Sequence, residues 1–211
     1  NGHAFHMALT GGQVPYTDAR VRRLFEYWRI LLDRGCFARN HASMSWQESQ
    51  ALLYQGKSAM MLIGNYIVPN FPPALHDRMD FTRFPTIDPQ AGSAEDAPMN
   101  SIHIPARAAN KEDARRFLAF VLRADVQEAL NRTLLQIPVN KQAAVPDDRF
   151  LKLGAELLAQ ADGISQFFDR DTSEDLANVA MKGFQEFMLN PERLDAILAT
   201  IERARLRIYK Q

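Results

Sequence analysis

The stretch Gly56-Lys57-Ser58-Ala59-Met60-Met61-Leu62-Ile63-Gly64-Asn65-Tyr66 decides the reading of the fold. Its apolar run, Ala59–Ile63, is short and continuous, with a lysine before it and a glycine after it. That length and those flanks predict a strand buried on both faces, the kind found in α/β proteins. Further strands are predicted at Asp80–Phe84 and Ser101–Ile104, each stopped by a proline, Pro85 and Pro105. Between the first two, Pro69, Pro72 and Pro73 predict turns or one-turn helices.

Upstream of the quoted stretch the pattern is helical. Thr17-Asp18 offers an N-cap, and Val21, Leu24, Phe25, Trp28, Leu31 and Leu32 then recur at helical spacing until Gly35. Ser45-Trp46-Gln47-Glu48 is a capping box opening a helix that ends near Gly56. A short mixed segment, 3–10, stops at Gly11-Gly12. Downstream, Asn110 with Asp113 caps one helix and Asp125 starts another. Three more helices follow: near 148–161, after Thr172-Ser173, and after Pro191. The proline-rich stretches 85–98 and 137–148 read as surface loops or crossovers between domains. The sum is an α/β protein with more helix than strand.

The 211 residues suffice for one large domain or two small ones without disulfide or metal staples. Lys and Arg number 25 and Asp and Glu number 25, so the formal net charge is zero. A nucleic-acid or anionic-membrane surface needs a basic field, and this balance argues against either. The single Cys36 excludes an internal disulfide framework and a multi-cysteine zinc site. No run approaches the length of a membrane span. The first residues, Asn1–Met7, have no signal-peptide profile and read as the middle of a helix.

Catalytic motifs are missing. There is no G-x-S-x-G elbow, no P-loop and no G-x-G-x-x-G. Cys36 follows a helix C-terminus, where the dipole does not activate a thiol as a helix N-terminus would. His3 and His6 share a helix face while His41, His76 and His103 are scattered, so no metal site is expected. Arg203, Arg207 and Lys210 form a basic stripe that reads as the solvated face of the last helix. No enzyme activity and no cofactor are expected.

Two segments carry a binding signature. Gly64-Asn65-Tyr66 follows the first predicted strand at its C-terminal end, where α/β proteins place ligands, and the glycine is read as allowing a sharp turn. Aromatic rings stack on the apolar C–H faces of sugars, and planar Asn, Asp and Arg groups pair with hydroxyls. Phe167-Phe168-Asp169-Arg170-Asp171-Thr172 supplies both kinds of group just before a helix. The same six residues also make sense as a local cluster of ion pairs and caps, with Arg170 between Asp169 and Asp171.

The order of these elements resembles the extracellular solute-binding proteins of sugar ABC importers, family 1, of the maltose- and oligosaccharide-binding type. The resemblance runs through Gly11-Gly12, Trp28, Ser45–Glu48, Gly56–Met60 and Gly64–Tyr66. It continues through Phe84-Pro85, Ile104-Pro105-Ala106, Asn110–Ala114, Ile137–Asn140 and Phe167–Asp171. It covers nearly the whole chain, and G-K-x-A-M, then G-x-aromatic, then F-F-D-R-D are its specific parts.

Such proteins are about twice this length and close two α/β lobes on a sugar. The resemblance implies a type II periplasmic-binding-protein-like fold and places this chain in the C-terminal half. Residues 1–98 and 150–211 would form a helix-rich second lobe, and 99–149 a crossover segment of the first lobe, whose remainder is absent. Carried over by position, Tyr66 stands where a sugar-stacking Trp is common, with Asn65 beside it, and Trp46 at a cleft edge. Asn100 lies in a hinge strand where relatives often have Asp, and Phe168, Asp169, Arg170 and Asp171 reach into the cleft from a loop.

The implied function is capture of a sugar or oligosaccharide for import. The partners would be the membrane-spanning permease subunits, and the location periplasmic or extracellular, with or without a lipid anchor. A glycerophosphodiester or polyamine as solute, or a helical interaction module without small ligand, are the alternatives. The isolated chain is expected to self-associate through apolar faces bearing Phe117, Leu118 and Val121.

Overall fold

The computed structural model describes residues 1–209, and Lys210 of the basic stripe lies outside them. Nine α-helices among these residues carry most of the structure. In chain order they are α1 Gly2–Thr10, α2 Ala19–Asp33, α3 Trp46–Tyr54, α4 Lys111–Val121 and α5 Ala124–Leu134. They continue with α6 Arg149–Gln160, α7 Phe168–Asp171, α8 Glu174–Leu189 and α9 Leu194–Tyr209. The caps legible in the sequence hold them. The Asp18 side chain accepts from the Arg20 amide at the start of α2. Ser45 and Glu48 exchange both bonds of a capping box at α3, and Asn110 accepts from Asp113 N–H at α4. Ser173 caps α8, and Asp148 takes two amides at α6. Pro69 and Pro73 sit in two short 3₁₀ helices, Asn65–Asn70 and Pro73–Arg78, and Pro72 is the N-cap of the second, positions compatible with a fixed φ and a missing N–H.

The strands fall elsewhere than expected. None of 59–63, 80–84 or 101–104 forms a ladder, and Met60 and Leu62 are 84% and 81% exposed. Apolar runs of this kind become strands only when a neighbouring strand takes up their backbone N–H and C=O groups. Among the described residues these three find none. The strands present are β1, Ala94–Asp96, and β2, Gly163–Ser165, paired in parallel with Ala94 opposite Gly163 and Asp96 opposite Ser165. The first lies within the stretch expected to be a loop. Three residues are too few to show a period of two. The pair is fastened at one end by Asp162, whose N–H donates to Ser93 O and whose carboxylate accepts from Ser93 N, both at 2.7 Å.

The chain divides into two units. The first comprises Asn1–Met61, Thr86–Asp96 and Asp162 onward; the second comprises Leu62–Pro85 and Ala97–Ala161. Residues 99–149 thus fold in one unit with 62–85 and 150–161. In the first unit α8 and α9 pack together and Leu176, Ala180, Phe187, Leu198 and Ile201 are almost wholly buried. Phe25 of α2 meets Phe187 edge-on at 4.9 Å. One charged side chain sits in this core. Arg205 donates twice to Glu202 and once to Gly12 O, and Glu202 also accepts from Tyr16 N–H.

The second unit gathers on Phe150 and Leu151 of α6, with Ile67 and Val68 buried beside them. Phe71 and His76 meet the Phe150 ring edge-on at 5.5 and 5.2 Å. The Arg149 guanidinium lies 4.2 Å from the centre of the same ring and donates to the carbonyls of His76 and Met79. These contacts tie the 3₁₀ segment that follows Asn65 to α6.

Candidate ligand-binding residues

In the second unit, Asn65 and Tyr66 open the 3₁₀ helix Asn65–Asn70. The next two residues, Ile67 and Val68, are buried and anchor the segment, while Tyr66 stays 39% exposed. Gly64 does not turn the chain sharply, since its φ of −74° and ψ of 158° suit any residue. It is needed for contact: a β-carbon there would stand 2.6 Å from Tyr66 Cε1. The tyrosine ring therefore lies against the bare backbone of Gly64. The Asn65 side-chain amide points toward Phe150 O at 3.5 Å. Asn100 is exposed and belongs to the same unit, but to no strand, because the hinge strand expected there is not formed.

In the first unit, Trp46 is the first residue of α3. The capping box fixes its backbone, with Ser45 N–H donating to Glu48 Oε2 at 2.7 Å and Glu48 N–H to Ser45 Oγ at 3.2 Å. The hydrogen bond from the Ser45 N–H holds the Glu48 carboxyl below its ordinary range, with the Ser45 hydroxyl adding to it. The indole is 44% exposed.

Phe168–Asp171 forms the one-turn helix α7 and divides by side. Phe168 packs edge-on against Phe184 at 5.2 Å and joins the apolar core, so its ring is turned inward. Asp169 and Arg170 are exposed. The local ion-pair cluster expected of Asp169-Arg170-Asp171 is not what forms. Arg170 stands over the Phe167 ring, 5.5 Å from its centre, within cation–π range. Asp171 is engaged instead by His6 of α1 at 2.8 Å and by the Gln166 N–H at 3.0 Å. A partner 165 residues away leaves no local signal, and an i, i+3 pair of histidines does not reveal it. His3, on the same helix, lies with its ring against Gly163.

The structure thus assigns Trp46 and Phe168–Asp171 to one unit and Asn65, Tyr66 and Asn100 to the other. Among the described residues no three His, Cys, Asp or Glu side chains gather as a metal site. No described helix is long and apolar enough to cross a membrane.

Residues 5–128 match the family model described as bacterial extracellular solute-binding protein, more than half of the chain. The chain belongs to that family. An uncharacterized ABC transporter extracellular-binding protein of Pyrococcus horikoshii is 24% identical to this solute-binding protein over 143 residues, which are 67% of this chain and 31% of that protein. The bacterial solute receptor AcbH, whose structure is described as revealing an exclusive substrate preference for β-D-galactopyranose, matches 100% of this chain with a TM-score of 0.87 and 26% identity. A chitin oligosaccharide binding protein matches 98% of it with a TM-score of 0.76 and 18% identity, a likeness of fold. The solute-binding chain spans 54% and 53% of those two structures. The resemblance read from the sequence is borne out, and with it the fold class of a periplasmic solute-binding protein, here helix-rich with a small parallel sheet. Family membership carries a location outside the cytoplasm, periplasmic or extracellular.

Proposed function

We propose that this solute-binding protein is the capture component of an ABC importer and that its solute is a sugar or oligosaccharide. The observation that carries the reading is the likeness to AcbH along the whole chain, at 26% identity and a TM-score of 0.87. The side chains support it. Tyr66 and Trp46 are half-exposed rings able to stack on the C–H faces of a pyranose. Asn100, Asp169 and Arg170 are exposed planar polar groups that can pair with hydroxyls in one or two directions. Asn65, its amide N–H turned toward Phe150 O, offers its side-chain oxygen beside Tyr66. Phe168, turned into the core, supports its turn rather than the ligand. Asp171, held by His6, does likewise.

In this reading the protein binds and does not catalyse, and it uses no cofactor. Its bound form is recognised by the membrane-spanning permease subunits, and the protein works in the periplasm or at the cell surface, free or held by a lipid anchor. A solute shifts the balance between unbound and bound conformations only by binding them unequally, which is how occupancy is signalled to the permease.

Isothermal titration of the full-length protein with galactose, glucose, maltose and chitobiose tests the proposal. Binding of at least one saccharide is expected, and Tyr66→Ala should weaken it by about 1–3 kcal/mol. Failure to bind any saccharide, with binding of a polyamine or glycerophosphodiester in its place, rejects the sugar assignment.

A further inference from the structure

The α7 turn of the first unit anchors two side chains and displays two. Phe168 and Asp171, three residues apart, face inward, and the Asp171 side chain keeps only 9% of its exposure. Asp169 and Arg170, between them, face outward. An almost buried carboxylate must have its oxygens satisfied by donors, because leaving a charge unpaired there is costly. Both donors to Asp171 reach the same oxygen, Oδ2: His6 Nε2 at 2.8 Å and Gln166 N–H at 3.0 Å.

These two bonds join separate parts of the first unit. His6 belongs to α1, Gln166 follows β2 directly, and Asp171 ends α7. His3 of α1 lies on Gly163 of β2, so α1 is already seated beside the strand. Asp96, opposite Ser165 in the parallel pair, and Asp169 are further carboxylates whose charges bear on this corner. The His6 imidazole lies among these acids and donates to Asp171 when Nε2 carries the hydrogen. Without it, Asp171 would keep a single backbone donor while other negative charges stand nearby.

We propose that His6 is a positioning residue for the ligand contacts on this turn. By holding Asp171 it fixes the Gln166–Asp171 segment, and so the direction in which Asp169 and Arg170 are presented. The proposal rests on the function argued above for Asp169 and Arg170, and it adds a residue that never touches the solute.

Amide hydrogen exchange and saccharide titration of the full-length protein, its His6→Ala variant and its His6→Gln variant test it. In His6→Ala the Gln166 amide should exchange about tenfold faster or more while amides of α9 keep their rates. Saccharide affinity should fall by about fivefold or more in the same variant. The glutamine amide can donate to the same oxygen, so His6→Gln should return both quantities to within about twofold of the wild type. Unchanged Gln166 exchange in His6→Ala overturns the proposal, as does a loss of protection spread evenly over the unit. If His6→Ala does not fold, His6→Leu, which fills the space without offering a donor to Asp171, replaces it, and undisturbed Gln166 exchange there has the same force. A wild type that binds no saccharide would defeat the sugar reading alone, because the exchange measurements still decide whether His6 holds the turn.

Discussion

The side-chain amide of Asn65 lies so close over Gly154 of α6 that a β-carbon on the glycine would stand 2.3 Å from its nitrogen. Ile137 Cδ1 would be 3.1 Å from the same carbon. A glycine inside a helix ordinarily weakens it, and here the empty position is what admits Asn65. Gly154→Ala should therefore destabilise the second unit by about 1–3 kcal/mol, despite alanine's better helix propensity. Urea denaturation checks it. A stability gain would show that Asn65 moves aside freely.

Arg205 and Glu202 form a second close relationship, inside the first unit. Their side chains are 7% and 14% exposed. Burial works to raise the Glu202 carboxyl, but hydrogen bonds from Arg205 and from the Tyr16 N–H, with the guanidinium charge, hold it below its ordinary value. Arg205→Met should cost about 3–5 kcal/mol, because it leaves a largely buried carboxylate without its partner. The double change with Glu202→Gln should cost less than the single one. For a depressed carboxyl the stabilisation is present above its unfolded value and is lost as pH falls through the folded one. The wild type should accordingly weaken on acidification below about pH 4.5, and Glu202→Gln should flatten that limb.

Asp96 has the opposite sign. Burial pushes its carboxyl up to about 6; His6 opposes this, and Asp171 and Asp169 add to it. The folded state then holds a proton that the unfolded chain has released, so stability falls as pH rises from about 4 through about 6. Asp96→Asn should stabilise the protein at about pH 7.5 by about 0.5–1 kcal/mol, after allowance for screening at this exposed strand end. At about pH 4 it should change little. Denaturation midpoints at the two pH values measure the difference. An equal gain at both would remove charge as the cause.

The unpaired extended run predicts behaviour in solution. Met60 and Leu62 stand 84% and 81% exposed, and Phe117, Phe120 and Leu122 lie between 49% and 59%. Large apolar side chains left exposed to this degree favour association. Light scattering of the 211-residue chain should show concentration-dependent species above the monomer mass of 24.0 kDa. Met60→Ser with Leu62→Ser should reduce them. A clean monomer across the concentration range would contradict this.

Most helices were legible in the residues because each carries its own evidence, whereas the one-turn α7 stands where a loop was expected. The Ser45–Glu48 box, the Asp18 and Asn110 caps, and the spacing of Val21, Phe25, Trp28 and Leu32 act within one or two turns. Family membership was legible for a related reason, since short motifs in a long fixed order survive in the residues themselves. The strands were not legible. Ala59–Ile63 has the composition of a strand and no partner to pair with, whereas Ala94–Asp96 has a loop's composition and becomes a strand because Gly163–Ser165 lies beside it.

The candidate residues divide along the same line. The types at Tyr66, Asn65, Asp169 and Arg170 state a chemistry of rings and planar polar groups that needs no coordinates to recognise. Which of them turns outward was decided by packing. Phe168 goes inward because Phe184 receives its ring, and Asp171 because His6 meets it from the far end of the chain. By itself the sequence determined the longer helices, most of their caps and the family, for these are written in near neighbours along the chain. Only the tertiary structure decided the strand pairing, the inward and outward faces of α7 and the part played by His6. Each of those depends on a partner brought close by folding.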